Sequence, residues 1–214
     1  MALMKKKTVI CLDRDGTLIY DDKYHLGRTT NWRSKVKILP SVVKGIKQLR
    51  KIPNVKLYMI TNQPGVATKT FPLLTLQRAH EVCRYVLKKL ESKKAGLDGY
   101  FLCPHASPSY TRKRKERTFD THLVCNCSCI KPKLGMVFNA LKAEGVKKKD
   151  VNIYVIGDRA SDVKTATNVK GIGILVPFKN GPEQKEIVKK IKGKTYIAKN
   201  FTDAVEYVKK RCSI

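Results

Sequence analysis

Short apolar runs alternate with segments of helical periodicity along nearly the whole chain, and this alternation restricts the fold more than any other feature. Thr8–Leu12, Val55–Ile60, Gly99–Cys103, Val151–Ile156 and Ile172–Val176 are strand-sized. Between them the apolar residues recur at helical spacing. Ser41–Ile52 places Val42, Ile46 and Leu49 on one face, and Pro53-Asn54 ends it. Thr75 can cap a longer helix that carries Leu76, Ala79, Val82, Cys83, Val86, Leu87 and Leu90 on one side. Leu134–Glu144 is predicted to be helical and to stop at Gly145, and Ser161–Asn168 opens another helix. The tail adds helices near Glu183–Ile191 and Thr202–Lys210, with a short strand at Thr195–Ile197 between them. Strand-helix alternation implies an α/β fold, a Rossmann-like parallel sheet with helices on both faces. The 214 residues form one domain in this reading, 1–214, with a long, strongly basic loop over 104–130.

In such sheets ligands bind beyond the carboxyl ends of the strands. That rule selects Asp13-Arg14-Asp15, Thr61-Asn62, Cys103-Pro104-His105 and Gly157-Asp158. Asp13 and Asp15 are two apart, so in extended backbone they share a face, and a turn at Gly16 can fold the second carboxylate over the first. Two close carboxylates repel unless a cation lies between them. Magnesium suits the site because it takes carboxylate and phosphate oxygens together. Asp158 can supply a further oxygen, Thr61 and Asn62 can donate to phosphoryl oxygens, and Lys131 can add a point charge. A lone D-x-D is most often a solvated turn, but here it follows a buried strand and is joined by Thr, Lys and Asp at other strand ends.

These residues resemble the four motifs of the haloacid dehalogenase superfamily of phosphatases: Asp13–Thr17, Thr61, Lys131, and Gly157-Asp158 with Asp162. The resemblance covers nearly the whole chain. It implies that Asp13 attacks phosphorus and that Asp15 serves as acid and then base. It also implies that Asp13, the Asp15 backbone carbonyl and Asp158 bind magnesium, with Asp162 orienting them.

Seven cysteines, an odd number, argue against a disulfide framework. Cys11 and Cys83 lie in apolar stretches and read as buried hydrophobes. Cys103-Pro104-His105 is followed after 21 residues by Cys127-Ser128-Cys129, and three thiolates with an imidazole make a closed zinc set. Cys125-Asn126-Cys127 is an equally good C-x-C pair, so Cys125 competes with Cys129. The zinc loop is placed at about 103–131. Its spacing resembles the D-glycero-D-manno-heptose 1,7-bisphosphate 7-phosphatases and the related histidinol-phosphate phosphatases. The resemblance implies substrate contacts at Arg14, Asp21, Asp22, Lys23, Tyr24, Thr61, Asn62, Gln63, Lys131 and Arg159. The stretch between Asp15 and Thr61 is needed for a loop, a helix and a strand, so no separate cap domain is expected. Ile130 stands where that family has an arginine before the motif lysine, and one of Arg112-Lys113-Arg114-Lys115 or Arg117 can replace it. His25 is a candidate substrate contact, His80 and Trp32 read as structural, and His122 as a surface residue.

The reading that follows is a phosphomonoesterase acting on a small phosphorylated metabolite, a sugar bisphosphate first and histidinol phosphate second. A net charge of +28, from 45 basic against 17 acidic residues, attracts polyanions. It keeps a nucleic-acid 3′-phosphatase, weak nucleic-acid binding and a non-catalytic polyanion-binding protein in play. No aromatic platform for stacked bases is visible, and a module that only binds has no use for Asp13, Asp15, Lys131 and Asp158 together. No apolar run approaches the roughly 20 residues of a membrane span, and the run after the basic N-terminus is cut off at Asp13. The chain is expected to be a cytoplasmic monomer.

Overall fold

The computed structural model describes residues 6–20 and 25–212. Six strands, β1 (Lys7–Leu12), β2 (Val55–Asn62), β3 (Gly99–Cys103), β4 (Val151–Gly157), β5 (Ile172–Leu175) and β6 (Lys194–Ile197), form one parallel sheet in the order β3-β2-β1-β4-β5-β6. β1 is central, pairing Ile10 with Leu57 of β2 and with Tyr154 of β4. Every predicted strand is present. β2 and β4 extend past their apolar runs to Asn62 and Gly157, which carries the pairing into the polar residues at their ends.

The central strands read as near-continuous apolar runs because both faces are covered. Ile10, Leu12, Leu57, Met59 and Ile156 face one layer, built from α1 (Val42–Leu49), α2 (Leu76–Glu91) and α7 (Phe201–Cys212), through Ile46, Val82 and Val205. Val9, Cys11, Ile60, Ile153 and Val155 face the other. There they pack on Met136, Val137 and Ala140 of α4 (Gly135–Ala143) and Ala166 of α5 (Ala160–Asn168). α6 (Gly181–Lys189) closes a smaller cluster of Val163, Leu175 and Val188. The segment after β3, expected to be all loop, contains a short helix, α3 (Pro108–Arg112), capped by Ser107. Trp32 is fully buried and meets Tyr85 edge-on at 5.3 Å, a packing role as expected. Among the described residues no helix is long and apolar enough to cross a membrane.

The strand order reverses direction between β1 and β4: β2 and β3 lie on one side of the pair, β5 and β6 on the other. A crevice opens at such a point beyond the carboxyl ends. Asp13 follows β1 and Asp158 follows β4, so the topology brings the two together although 145 positions separate them.

Candidate active site

The crevice is a cavity of about 420 Å³. Asp13, Asp15, Thr61, Asn62, Gln63, Lys131, Asp158 and Arg159 line it. The Asp13 backbone N–H donates to Ile156 O at 2.9 Å, so the residue continues the β1–β4 ladder and is aimed by it. Lys131 Nζ lies 2.5 Å from Asp13 Oδ1 and 2.6 Å from Asp162 Oδ1. The Lys131 main chain is held in turn by Asn62, whose Oδ1 accepts the Lys131 N–H at 3.0 Å while its Nδ2 donates to Lys131 O at 3.3 Å. Asp162 closes the capping box of α5, its Oδ2 accepting from the Arg159 N–H at 3.1 Å. Asp162 is therefore engaged by both oxygens, which suits an orienting role.

Two glycines let these parts approach. Gly16, in the left-handed region at φ 78°, leaves no room for a Cβ, which would lie 2.6 Å from Asp158 Oδ2. A Cβ on Gly157 would strike the Asp162 carboxyl.

The electrostatics identify a shortage of positive charge. Oxygens of Asp13, Asp158 and Asp162 all lie within 4.8 Å of one another, faced by the ammonium of Lys131 and, 3.9 Å from Asp158 Oδ2, the Arg159 guanidinium. Burial pushes the Asp13 carboxyl up to about 7 despite Lys131. Burial and the neighbouring Asp13 and Asp162 push Asp158 up to about 8. Asp158 Oδ1 is buried with no hydrogen-bond partner. A divalent cation with oxygen preference would satisfy that atom and relieve the repulsion; the donor set fits magnesium.

Asp15 is held differently. Arg14 Nε and Nη2 donate to its two oxygens at 3.0 and 2.8 Å, and Gln63 Nε2 donates to Oδ2 at 2.8 Å. Burial alone would raise the Asp15 carboxyl, but the Arg14 guanidinium and then Gln63 outweigh it and hold it below the ordinary carboxylate range. The expectation that Arg14 contacts substrate is corrected by this geometry. Arg14 is fully buried, absent from the cavity lining, and reaches Cys83 Sγ at 3.6 Å on its far side. Its side chain turns inward because the Asp15 fork is the nearest partner for a guanidinium that cannot be buried unpaired. The Asp15 side chain is likewise outside the three-carboxylate group, which leaves only its main chain to serve a metal. Asp21, Asp22, Lys23 and Tyr24 lie outside the described residues.

The sequence did not single out Arg28, Phe178, Lys179 or Gln184, all of which line the cavity. Phe178 and Lys179 follow the carboxyl end of β5, so the strand-end rule extended to that strand finds them. Gln184 Oε1 accepts from the Ala160 N–H at 2.8 Å and fixes the start of α5. Arg28 sits in a loop with no motif and carries no local signal. His25 lines the cavity; His80 bonds Tyr100 at 2.9 Å from α2, and His122 is exposed.

Away from the cavity, Cys103, His105, Cys127 and Cys129 offer donor atoms that all lie within 4.8 Å of one another. Cys129 Sγ is 2.6 Å from Cys103 Sγ and 3.4 Å from His105 Nδ1, and Cys127 Sγ is 2.8 Å from Cys129 Sγ. These separations exceed the roughly 2.05 Å of a disulfide, and all seven thiols are free. Burial raises the Cys103 thiol, and raises Cys129 to about 11, so a cation binding here must displace their protons. Cys129 lies in this group and Cys125 does not. The Cys125 N–H donates to Ala106 O at 3.0 Å in a bridge that pins the loop.

No protein-family model matches the chain. It is 30% identical over 185 residues to the histidine biosynthesis bifunctional protein HisB of Buchnera aphidicola subsp. Baizongia pistaciae, covering 86% of this chain and 44% of that protein. The chain thus spans less than half the length of the curated relatives it matches. It superposes on the D,D-heptose 1,7-bisphosphate phosphatase of B. bronchiseptica, solved with magnesium and phosphate, with a TM-score of 0.73 at 20% identity. That match covers 95% of this chain and 99% of the other. The D,D-heptose 1,7-bisphosphate phosphatase of Burkholderia thailandensis follows at a TM-score of 0.60 and 13% identity, covering 94% and 98%.

Proposed function

On the haloacid dehalogenase-like fold that this chain adopts, we propose that it is a magnesium-dependent phosphomonoesterase working through an aspartyl-phosphate at Asp13. The observation that carries the reading is the buried group of Asp13, Asp158 and Asp162 around Lys131, with Asp15 clamped beside it.

Asp13, Asp158 and the Asp15 backbone carbonyl would hold magnesium. When bound, it neutralises the repulsion between the phosphate ester and the nucleophile. An Asp13 carboxylate oxygen attacks phosphorus, an O–P bond forms, and the ester P–O bond breaks in line. Lys131 holds the other Asp13 oxygen and leaves one face of the carboxylate for attack. Thr61, 1% exposed at the end of β2, presents a hydroxyl to the phosphoryl group. The leaving oxygen takes a proton from Asp15. Asp15 begins as a carboxylate; the arriving phosphate ester raises its proton affinity, and Asp15 takes up one proton, from solvent or from the ester monoanion, which it then gives to the leaving oxygen. Water then attacks the phosphorus of the intermediate and Asp15 takes its proton, so inorganic phosphate leaves and Asp13 returns as carboxylate. Arg14 and Gln63 keep Asp15 in the form this second step requires.

The substrate in this reading is a small phosphorylated metabolite, a sugar bisphosphate. Histidinol phosphate is the second reading, favoured by the likeness to a protein of histidine biosynthesis. Zinc at Cys103, His105, Cys127 and Cys129 would staple the two ends of the basic loop. The chain would act as a monomer, and seven free thiols suit the reducing cytoplasm.

Asp13→Asn keeps the shape of the side chain and removes the nucleophile. With p-nitrophenyl phosphate and magnesium its turnover should fall to background while circular dichroism stays native. Retained turnover would remove Asp13 from the mechanism.

A further inference from the structure

The outer half of the cavity has a chemistry of its own. Arg28, Arg114 and Arg117 line it, along with His25. Of the basic run after α3, only Arg114 and Arg117 turn inward and are half-buried; Arg112, Lys113 and Lys115 are exposed. Arg117 and Arg28 both lie over the Phe71 ring, each with its guanidinium carbon 5.4 Å from the ring centroid. His25 meets the same ring in a tilted arrangement at 4.7 Å, and Arg117 Nη1 donates to His25 Nε2 at 3.1 Å. Arg114 sits over Tyr110 at 3.8 Å.

Like charges gathered on one wall are unfavourable unless something anionic meets them. Among the described residues no carboxylate pairs with Arg28 or Arg114, and the one partner of Arg117 is Glu116 at 3.4 Å, which is itself 67% exposed. The convergent field is felt at His25, which burial and then Arg117, Arg28 and Arg114 depress to about 4, so it is neutral and can accept from Arg117. Cation–π contacts with Phe71 and Tyr110 hold the guanidinium groups in advance, so less rotamer freedom is lost on binding. Ile130 has no part in this wall, because it packs against the apolar cluster under α4.

We propose that Arg28, Arg114 and Arg117 form a specificity wall that binds a second anionic group of the substrate while the first phosphate sits at Asp13. The inference rests on the phosphatase reading above and chooses within it. A phosphate or carboxylate at the far end of the substrate is drawn in, and a substrate with an imidazole at its far end and an ammonium but no second anion, such as histidinol phosphate, is disfavoured.

Initial rates with magnesium on p-nitrophenyl phosphate, a hexose 6-phosphate, the hexose 1,6-bisphosphate, 6-phosphogluconate and histidinol phosphate test it. The two sugars with an anion at each end should exceed the hexose monophosphate in kcat/KM by at least about tenfold, the worth of one charge-assisted contact. A gain for both sugars marks a wall that reads any anion; a gain for the bisphosphate alone restricts it to phosphate. The ratio should collapse toward one in R114Q/R117Q, mainly through KM, and fall in R28Q, which acts from a separate element should the loop variant misfold. The exposed R112Q/K113Q/K115Q control should keep the wild-type ratio. Hydrolysis of the monophosphates with no second-anion preference, or a preference for histidinol phosphate, overturns the wall and leaves the phosphatase reading standing. No hydrolysis of any substrate overturns the phosphatase reading and the wall with it.

Discussion

Replacing Arg14 by methionine separates two roles for this residue. In the structure it is absent from the cavity lining and grips both oxygens of Asp15, which does line the cavity, at 3.0 and 2.8 Å. Methionine fills much of the same buried volume without charge. The Arg14 guanidinium is the strongest influence holding the Asp15 carboxyl below its ordinary range, against the burial that would raise it, so removing it lets the carboxyl rise. The sign follows from the depressed carboxyl. Asp15 ionised by Arg14 stabilises the fold above the ordinary aspartate range, and that contribution is lost as pH falls through its lowered folded value. In Arg14→Met the carboxyl titrates at higher pH, so Asp15 loses its base form sooner on acidification. With p-nitrophenyl phosphate, whose leaving group needs little help from an acid, the acid limb of kcat should move to higher pH. Losing two charge-assisted bonds should cost about 2–3 kcal/mol, lowering Tm by about 4–12 °C. A natively folded variant with an unmoved acid limb would refute the clamp. A raised KM with that limb unmoved would restore Arg14 as a substrate contact.

Metal analysis should find about one zinc per chain, held at the three-cysteine, one-histidine set. Cys129→Ser should lose it and lower Tm, whereas Cys125→Ser should retain it; the reverse pattern would move the fourth ligand to Cys125. Gly157→Ala should force Asp162 off Lys131 and cut kcat at least about tenfold, as small displacements of positioning groups do; wild-type kcat would mean that Asp162 has no positioning role. His25, depressed to about 4, resists protonation in the folded chain. Stability attributable to it should be complete above its ordinary value and decline as pH falls from 6.5 toward 4, and His25→Asn should flatten that part of the Tm profile.

The parallel sheet and the residues gathered at its carboxyl edge were legible in the chain because both rest on local pattern. Apolar runs mark strands, and the residues just past them must gather at the carboxyl edge of a parallel sheet. That rule finds Asp13, Thr61 and Asp158 without coordinates. The C-x-H and C-x-C spacing marks a metal set for a similar reason, since ligand geometry imposes it. Tertiary packing decided what local pattern cannot. Arg14 and Asp15 are adjacent in a motif, yet burial turns the arginine inward, because a guanidinium out of water must take the nearest carboxylate. Cys125 and Cys129 are equivalent on spacing, and only the fold of the loop against Ala106 separates them. Arg28, Arg114 and Arg117 come from two distant loops whose sequence reads as solvated charge; Phe71 and Tyr110 turn them toward the cavity. The reaction is written in the strand ends, where position along the chain sets position in space. The proposed substrate wall is made of side chains that meet only after the chain has folded.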